Sequence, residues 1–327
     1  MLSISKKLRI ILICLFLCTP SLYASTPKPF TLVLDWYLNP DHAPLFIAQQ
    51  QGYFKAEGLS VKLITPSDPS DGPKLAAAGK ADAAITYQPG FMQQVNQGLP
   101  LIRFGSLINK PLACLIVLKT SPIHDLKDLK GKTVGYSNPS ADEFILNQML
   151  KYDHLSIEEI QPVNVHYNLN QGLISKRLDA FMGAMRNVEP IELKLAGYPV
   201  HRFYPESHGI PPYDELIFVT RSDNIHDPRL LKFLKALKRS IAYLKAHPQS
   251  SWKTFAAARP ELANEAARQS WLASIPYFSQ NPEDLDKQKY TRFTQFLLEE
   301  GFIQKAIPLE KYAVRIDLPQ KPLAASL

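Results

Sequence analysis

The chain is 327 residues long, 46% of them apolar, with 37 lysines and arginines against 30 acidic residues and a formal charge of +7. That length suits two lobes better than one small domain, and the apolar share supplies a sizeable core. Three of the positive charges, Lys6, Lys7 and Arg9, stand in the first ten residues, and the +4 left elsewhere is too small and scattered to argue for nucleic acid.

Lys6, Lys7 and Arg9 precede an apolar run from Ile10 to Cys18, and Ser21-Leu-Tyr-Ala24 then offers a small residue for cleavage. This is the pattern of a secretory signal peptide over 1–24, and it predicts a periplasmic protein. The run is too short to span a membrane. A lipoprotein anchor at Cys18 is the alternative, but Leu17 stands where such processing takes a small residue. Cys14 and Cys18 leave with this segment. Cys114 then stands alone, which excludes an intrachain disulfide and a CxxC metal site.

Phe30 to Leu34 reads as a strand that ends in Asp35, Trp36 and Tyr37 and a turn set by Asn39, Pro40 and Asp41. Asp41 is expected to cap the helix that follows, His42 to about Gln51, which Gly52 closes. Strand, polar-aromatic loop and helix together make a ligand site in α/β proteins, because ligands sit beyond the carboxyl ends of strands and against helix N-termini. Core packing is the plainer role for Trp36 and Tyr37. Their place beyond the strand end favours the site.

A second strand, Ser60 to Ile64, precedes a short helix from Asp71 to Ala78, then a turn and a buried strand that ends in Tyr87-Gln-Pro89. The same order returns at Asn170 to Arg177, Leu178 to Met185, Asn187 and Glu189, so two facing lobes are expected. Cys114 to Leu118 and Glu215 to Thr220 are apolar runs expected to carry the chain out of the first lobe and back. Gly131 to Tyr136 reads as the first strand of the second lobe. Ser140-Ala-Asp-Glu143 and Ser156-Ile-Glu-Glu159 read as capping boxes, and the first sets Ser137 and Asn138 before a helix N-terminus. Pro228 to Ala246 carries leucines at helical spacing between solvated lysines, and Trp252, Trp271 and Phe296 read as core anchors.

The chemical motifs are absent. There is no GxSxG, no HExxH, no P-loop and no GxGxxG between strand and helix, and the eight histidines never reach metal-ligand spacing. His42 alone is suggestively placed, and a lone imidazole at a helix start is more often a structural hydrogen-bonding residue than a base.

The strings LDWYLNPDHAPLFIAQQQGYFKAEGL, PKLAAAGKADAAITYQPG and GIPPYDELIF resemble the family that joins the periplasmic pyrimidine-precursor binding proteins of thiamine salvage with the thiamine pyrimidine synthases of eukaryotes. The resemblance runs from Phe30 to about Asp317. It implies an α/β periplasmic-binding-protein fold of type II, two lobes joined by two hinge strands. The expected division is lobe 1 over 25–117, lobe 2 over 118–212, and a return to lobe 1 with C-terminal helices over 213–327.

The family's synthases use a lysine-bound pyridoxal phosphate and a sacrificed histidine, and the gapless match puts Thr86 and Gly90 at those places. The resemblance therefore implies a binding protein with no cofactor and no metal, and a ligand set of Asp35, Trp36, Asn39, His42, Tyr87, Glu189 and Tyr213. A flat aminopyrimidine needs aromatic walls, which Trp36, Tyr37 and Tyr87 are placed to give, and one acceptor, for which Glu189 is the candidate. Ser137 and Asn138 complete the expected contacts. The expected partners are a small aminopyrimidine of formylaminopyrimidine or hydroxymethylpyrimidine type and an inner-membrane ABC permease, with the protein a monomer. The alternatives are a pyrimidine synthase, a binding protein for a flavin precursor or an alkanesulfonate, and a structural or interaction role.

Overall fold

The computed structural model describes residues 29–317, so the expected signal segment lies outside the described residues. In chain order the strands are β1 (Phe30–Val33), β2 (Val61–Ile64), β3 (Ala83–Thr86), β4 (Leu101–Ile108) and β5 (Ala113–Leu118). They continue with β6 (Thr133–Tyr136), β7 (Gln161–Asn164), β8 (Ala180–Met185), β9 (Val200–Phe203) and β10 (Leu216–Arg221). They form two five-stranded sheets of the same plan, β2-β1-β3-β10-β4 and β7-β6-β8-β5-β9. In each, three strands run parallel and the fourth lies antiparallel between its neighbours.

The antiparallel fourth strand is the one the chain enters directly after crossing between lobes. β5 follows the crossing at 109–112 and β10 follows the crossing at 204–215. This corrects the expected boundary: Cys114 to Leu118 is an interior strand of the second sheet, not a connector, and lobe 2 begins before 118. Its first strand is β5 and not the segment at Gly131. An uninterrupted apolar run marks a strand covered on both faces, which does not reveal the sheet it joins.

Helices cover both faces of each sheet. Along β1, Phe30 and Leu32 enter one core with Phe104, Phe218 and Phe233, and Val33 enters another. The amphipathic helix forms over Pro228–Ala246 as its leucine spacing predicts, and it seats Phe233 at ring-centroid distances of 5.4 Å from Phe30, 5.5 Å from Phe54 and 5.1 Å from Phe218. Trp271 and Trp252 are core residues, with Trp271 fully buried. The C-terminal helix, Lys287–Glu299, and the turn after it reach across to lobe 2, where Phe302 stacks on Phe144 at 3.7 Å.

The two crossings are bound to each other. Glu215, at the end of the second, accepts from the backbone N–H groups of Leu112 at 2.5 Å and Ala113 at 2.8 Å, at the end of the first. Beside it, Asp214 accepts from Ser106 Oγ at 2.5 Å, and its own N–H donates to Gln88 Oε1 at 2.8 Å.

Two expected caps are replaced. Asn39, not Asp41, caps the turn at Pro40–His42, its side chain accepting from Asp41 N. Ser140 caps nothing: residues Pro139–Glu143 wind as a single π turn ahead of the helix Phe144–Tyr152. The Ser156 box forms as expected.

Candidate functional site

The parallel strands of both sheets end at one cavity. Past β1 stand Asp35 and Trp36, past β3 Tyr87, past β6 Ser137 and Asn138, and past β8 Glu189, the first residue of the helix Glu189–Leu195. Asn39 also faces it.

Asp35 is the hub of the first wall. Its Oδ2 accepts from Tyr87 Oη at 2.9 Å and its Oδ1 meets His42 Nε2 at 2.9 Å. His42 Nδ1 accepts from the backbone N–H of Asn39 at 3.2 Å, so the ring proton sits on Nε2 and is donated to Asp35. His42 is fully buried behind the wall and does not line the cavity, contrary to expectation. It orients Asp35, which in turn orients Tyr87. Burial, with Asp35 close by, pushes the Tyr87 phenol well above its ordinary range.

Two further expected residues lie elsewhere. Tyr213 is 1% exposed and packs on Phe293 at 5.4 Å, inside the core under the second crossing. Tyr37 is 44% exposed and leans on Trp36 at 5.4 Å outside the cavity lining.

The sequence reading missed two acids. Asp41 is 2% exposed and faces the cavity, and its Oδ1 accepts from Asn187 Nδ2 of the opposite lobe at 2.6 Å and from Ser274 Oγ at 2.8 Å. Asp142 hangs from the π turn, and its Oδ2 accepts from the N–H groups of Ser137 at 3.1 Å and Asn138 at 2.9 Å. The sequence signal for it was hidden, because Ser-Ala-Asp-Glu has the form of a capping box.

Four carboxyl groups therefore line the cavity among the described residues, those of Asp35, Asp41, Asp142 and Glu189, with no lysine, arginine or histidine among them. Burial raises the acids that lack a cation: Asp41 upward, Asp142 to about 6, and Glu189 well above the carboxylate range, with Glu192 adding repulsion. Glu189 Oε2 accepts from Met185 N at 2.7 Å, and Glu192, itself raised by burial, accepts from Asn170 at 2.9 Å. The buried indole N–H of Trp36 has no partner among the described residues. A site built this way holds hydrogen-bond donors and cations and repels anions.

The lobes are closed on each other at the mouth. Tyr167 of the second lobe packs on Trp36 at 4.6 Å and donates to Pro66 O at 2.8 Å, and His166 Nδ1 meets Asp68 Oδ2 at 2.6 Å. His166 holds a left-handed φ of 50° to do so.

Residues 39–251 match the model of the NMT1/THI5-like family. The chain is 42% identical over 291 residues to a putative thiamine biosynthesis protein of Haemophilus influenzae, covering 89% of this chain and 93% of that one. It is 30% identical over 222 residues to the formylaminopyrimidine-binding protein of Halalkalibacterium halodurans, 67% of each chain. A 4-amino-5-hydroxymethyl-2-methylpyrimidine phosphate synthase of Legionella pneumophila is 26% identical over 280 residues, 84% of this chain and 88% of the synthase. Among solved structures, the alkanesulfonate-binding protein of Xanthomonas axonopodis pv. citri bound to MOPS superposes with a TM-score of 0.70 at 18% identity, covering 90% of this chain and all of that one. The architecture is the type II periplasmic-binding-protein fold, and by sequence the chain belongs to the NMT1/THI5-like family.

Proposed function

We propose that this protein is the exported receptor of an ABC importer, which captures a thiamine-related aminopyrimidine in the periplasm and delivers it unchanged to the permease. The observation that carries this reading is the cavity itself, with aromatic walls, several acids and no cationic side chain. Glu189 accepts from the exocyclic amine and shares a proton with the adjacent ring nitrogen, a charge-assisted pair. Trp36 and Tyr87 close over the π faces. Asp35 and Asn39 hold these groups in place, and Ser137 and Asn138 give the opposite edge. Closure of the two lobes about the crossings at 109–112 and 204–215 then presents the loaded form to the permease.

Two rival readings fit less well. An alkanesulfonate would meet carboxylates where it needs donors, and one like-charge contact at about 5 Å costs roughly 3 kcal/mol even at an effective dielectric near 20. A synthase of the family's type needs a lysine for its Schiff base. Thr86 and Gly90 hold the matched positions, and no lysine lines the cavity among the described residues.

Calorimetry of the mature chain tests the reading. 4-Amino-2-methylpyrimidines carrying a 5-methylene substituent are expected to bind, and ethanesulfonate is not. Glu189→Gln is expected to lose roughly ten- to a hundred-fold in affinity, the worth of a charge-assisted hydrogen bond. Unchanged affinity in that variant, or tighter binding of the sulfonate, overturns the proposal.

A further inference from the structure

The acids of the cavity exceed what one aminopyrimidine edge can use. Asp142 is 8% exposed. Its Oδ2 is taken by two backbone N–H groups, while its Oδ1 accepts no hydrogen bond from the described residues, and the residue lines the cavity. The chain is shaped to admit this carboxyl. Gly183 lies opposite with φ +96°, and a Cβ there would come within 2.7 Å of Asp142 Oδ2. No side chain larger than hydrogen fits that position.

Gly183, at the bulge where β8 shifts register against β5, and Met185 both line the cavity. Asp142 stands against Gly183, and Glu189 is anchored to the N–H of Met185. The two acids thus reach the cavity at separate points along β8. With Glu189 taken by the amidine edge, Asp142 remains as an open acid for a substituent of the ring.

We propose that Asp142 is a specificity-determining residue that seats a primary ammonium on the ring's 5-methylene arm, so that the preferred ligand is the free aminomethyl pyrimidine and not its N-formyl derivative. This rests on the aminopyrimidine reading above. A primary alkylamine is a cation at neutral pH and offers three donors, which match a carboxylate oxygen held open in a low-dielectric wall. A formamide arm offers the same acid one neutral N–H, a weaker partner for a buried carboxylate than an ammonium. Asp41, whose Oδ2 also lacks a partner among the described residues, adds to the negative field that favours the cation.

The test is calorimetry at pH 7.5 with 4-amino-5-aminomethyl-2-methylpyrimidine and its N-formyl derivative, on the wild-type protein and on Asp142→Asn. The wild type is expected to bind the free amine at least ten-fold more tightly. Asp142→Asn, which keeps an oxygen for the N–H groups of Ser137 and Asn138, is expected to lose at least ten-fold for the amine and less than three-fold for the formamide. The inference is overturned if the wild type binds the two alike or prefers the formamide, or if the variant weakens both equally. The wild-type ratio decides alone should the variant fail to fold. Binding of neither pyrimidine would instead overturn the aminopyrimidine reading.

Discussion

Glu215→Gln probes the joint between the lobes. Glu215 is 1% exposed, and its Oε2 holds the N–H groups of Leu112 and Ala113. Burial pushes its carboxyl from 4.5 up to about 7, against the pull of those two donors and of Arg186. The native state therefore binds this proton more tightly than the unfolded chain does. Stability from this group is complete below about pH 4.5 and is lost as the pH rises through 7, a total of roughly 3 kcal/mol at 1.36 kcal/mol per pKa unit. Glutamine keeps the carbonyl that accepts both N–H groups and removes the titration. Urea unfolding of both proteins at intervals from about pH 5 to pH 8.5 should show the variant gaining on the wild type by roughly 3 kcal/mol across the range. Asp142 and the other raised acids titrate in both proteins and largely cancel in the difference. A difference that stays flat with pH refutes the argument, because the two crossings would then not be joined through a protonated acid.

Other substitutions test the remaining parts. Phe233→Ala removes the ring at the centre of the aromatic core and should cost about 3–5 kcal/mol in equilibrium unfolding. Tyr167→Ala takes away the contact with Trp36 and the hydrogen bond to Pro66 across the mouth; stopped-flow release of bound pyrimidine should speed up about ten-fold with global stability changed by under about 1 kcal/mol. His42→Ala leaves one oxygen of buried Asp35 without its donor and should cost about 1–3 kcal/mol in denaturant unfolding, together with weaker pyrimidine binding. Gly183→Ala forces a methyl against Asp142 at a positive φ and should destabilise by about 1–3 kcal/mol.

Much of the cavity was legible because β strands that end in polar and aromatic residues announce where a sheet stops and a site begins. Asp35, Trp36, Tyr87 and Glu189 stand at such strand ends and belong to the set the resemblance implies, and the structure brings them to one cavity. His42 and Tyr213 came with the family resemblance, and both are buried outside the lining. Sequence position marks the neighbourhood of a site but not which face of a turn a side chain takes. Asp142 was hidden for a local reason: its carboxyl reaches back to Ser137 and Asn138 only because residues Pro139–Glu143 wind as a π turn, which has no periodic signal. The strand after the first crossing was recognised, but assigned to a connector, since pairing partners more than sixty residues away decide its sheet.

The acids also tie closure of the lobes to the binding proposed above. Asp41 of the first lobe accepts from Asn187 of the second, and Glu189 and Asp142 belong to the second lobe while Asp35 belongs to the first. The closed lobes therefore gather carboxyl groups around one cavity with no cation lining it among the described residues. Burial answers by raising Asp41, Asp142 and Glu189, Asp142 to about 6, which leaves Asp142 largely ionised at neutral pH. On the aminopyrimidine reading, a protonated heterocycle supplies the missing positive charge and is expected to favour the closed state by more than its contacts with either lobe alone. An anion is expected to do the reverse, so the reading makes charge sign, ahead of ring shape, the first discrimination of the cleft.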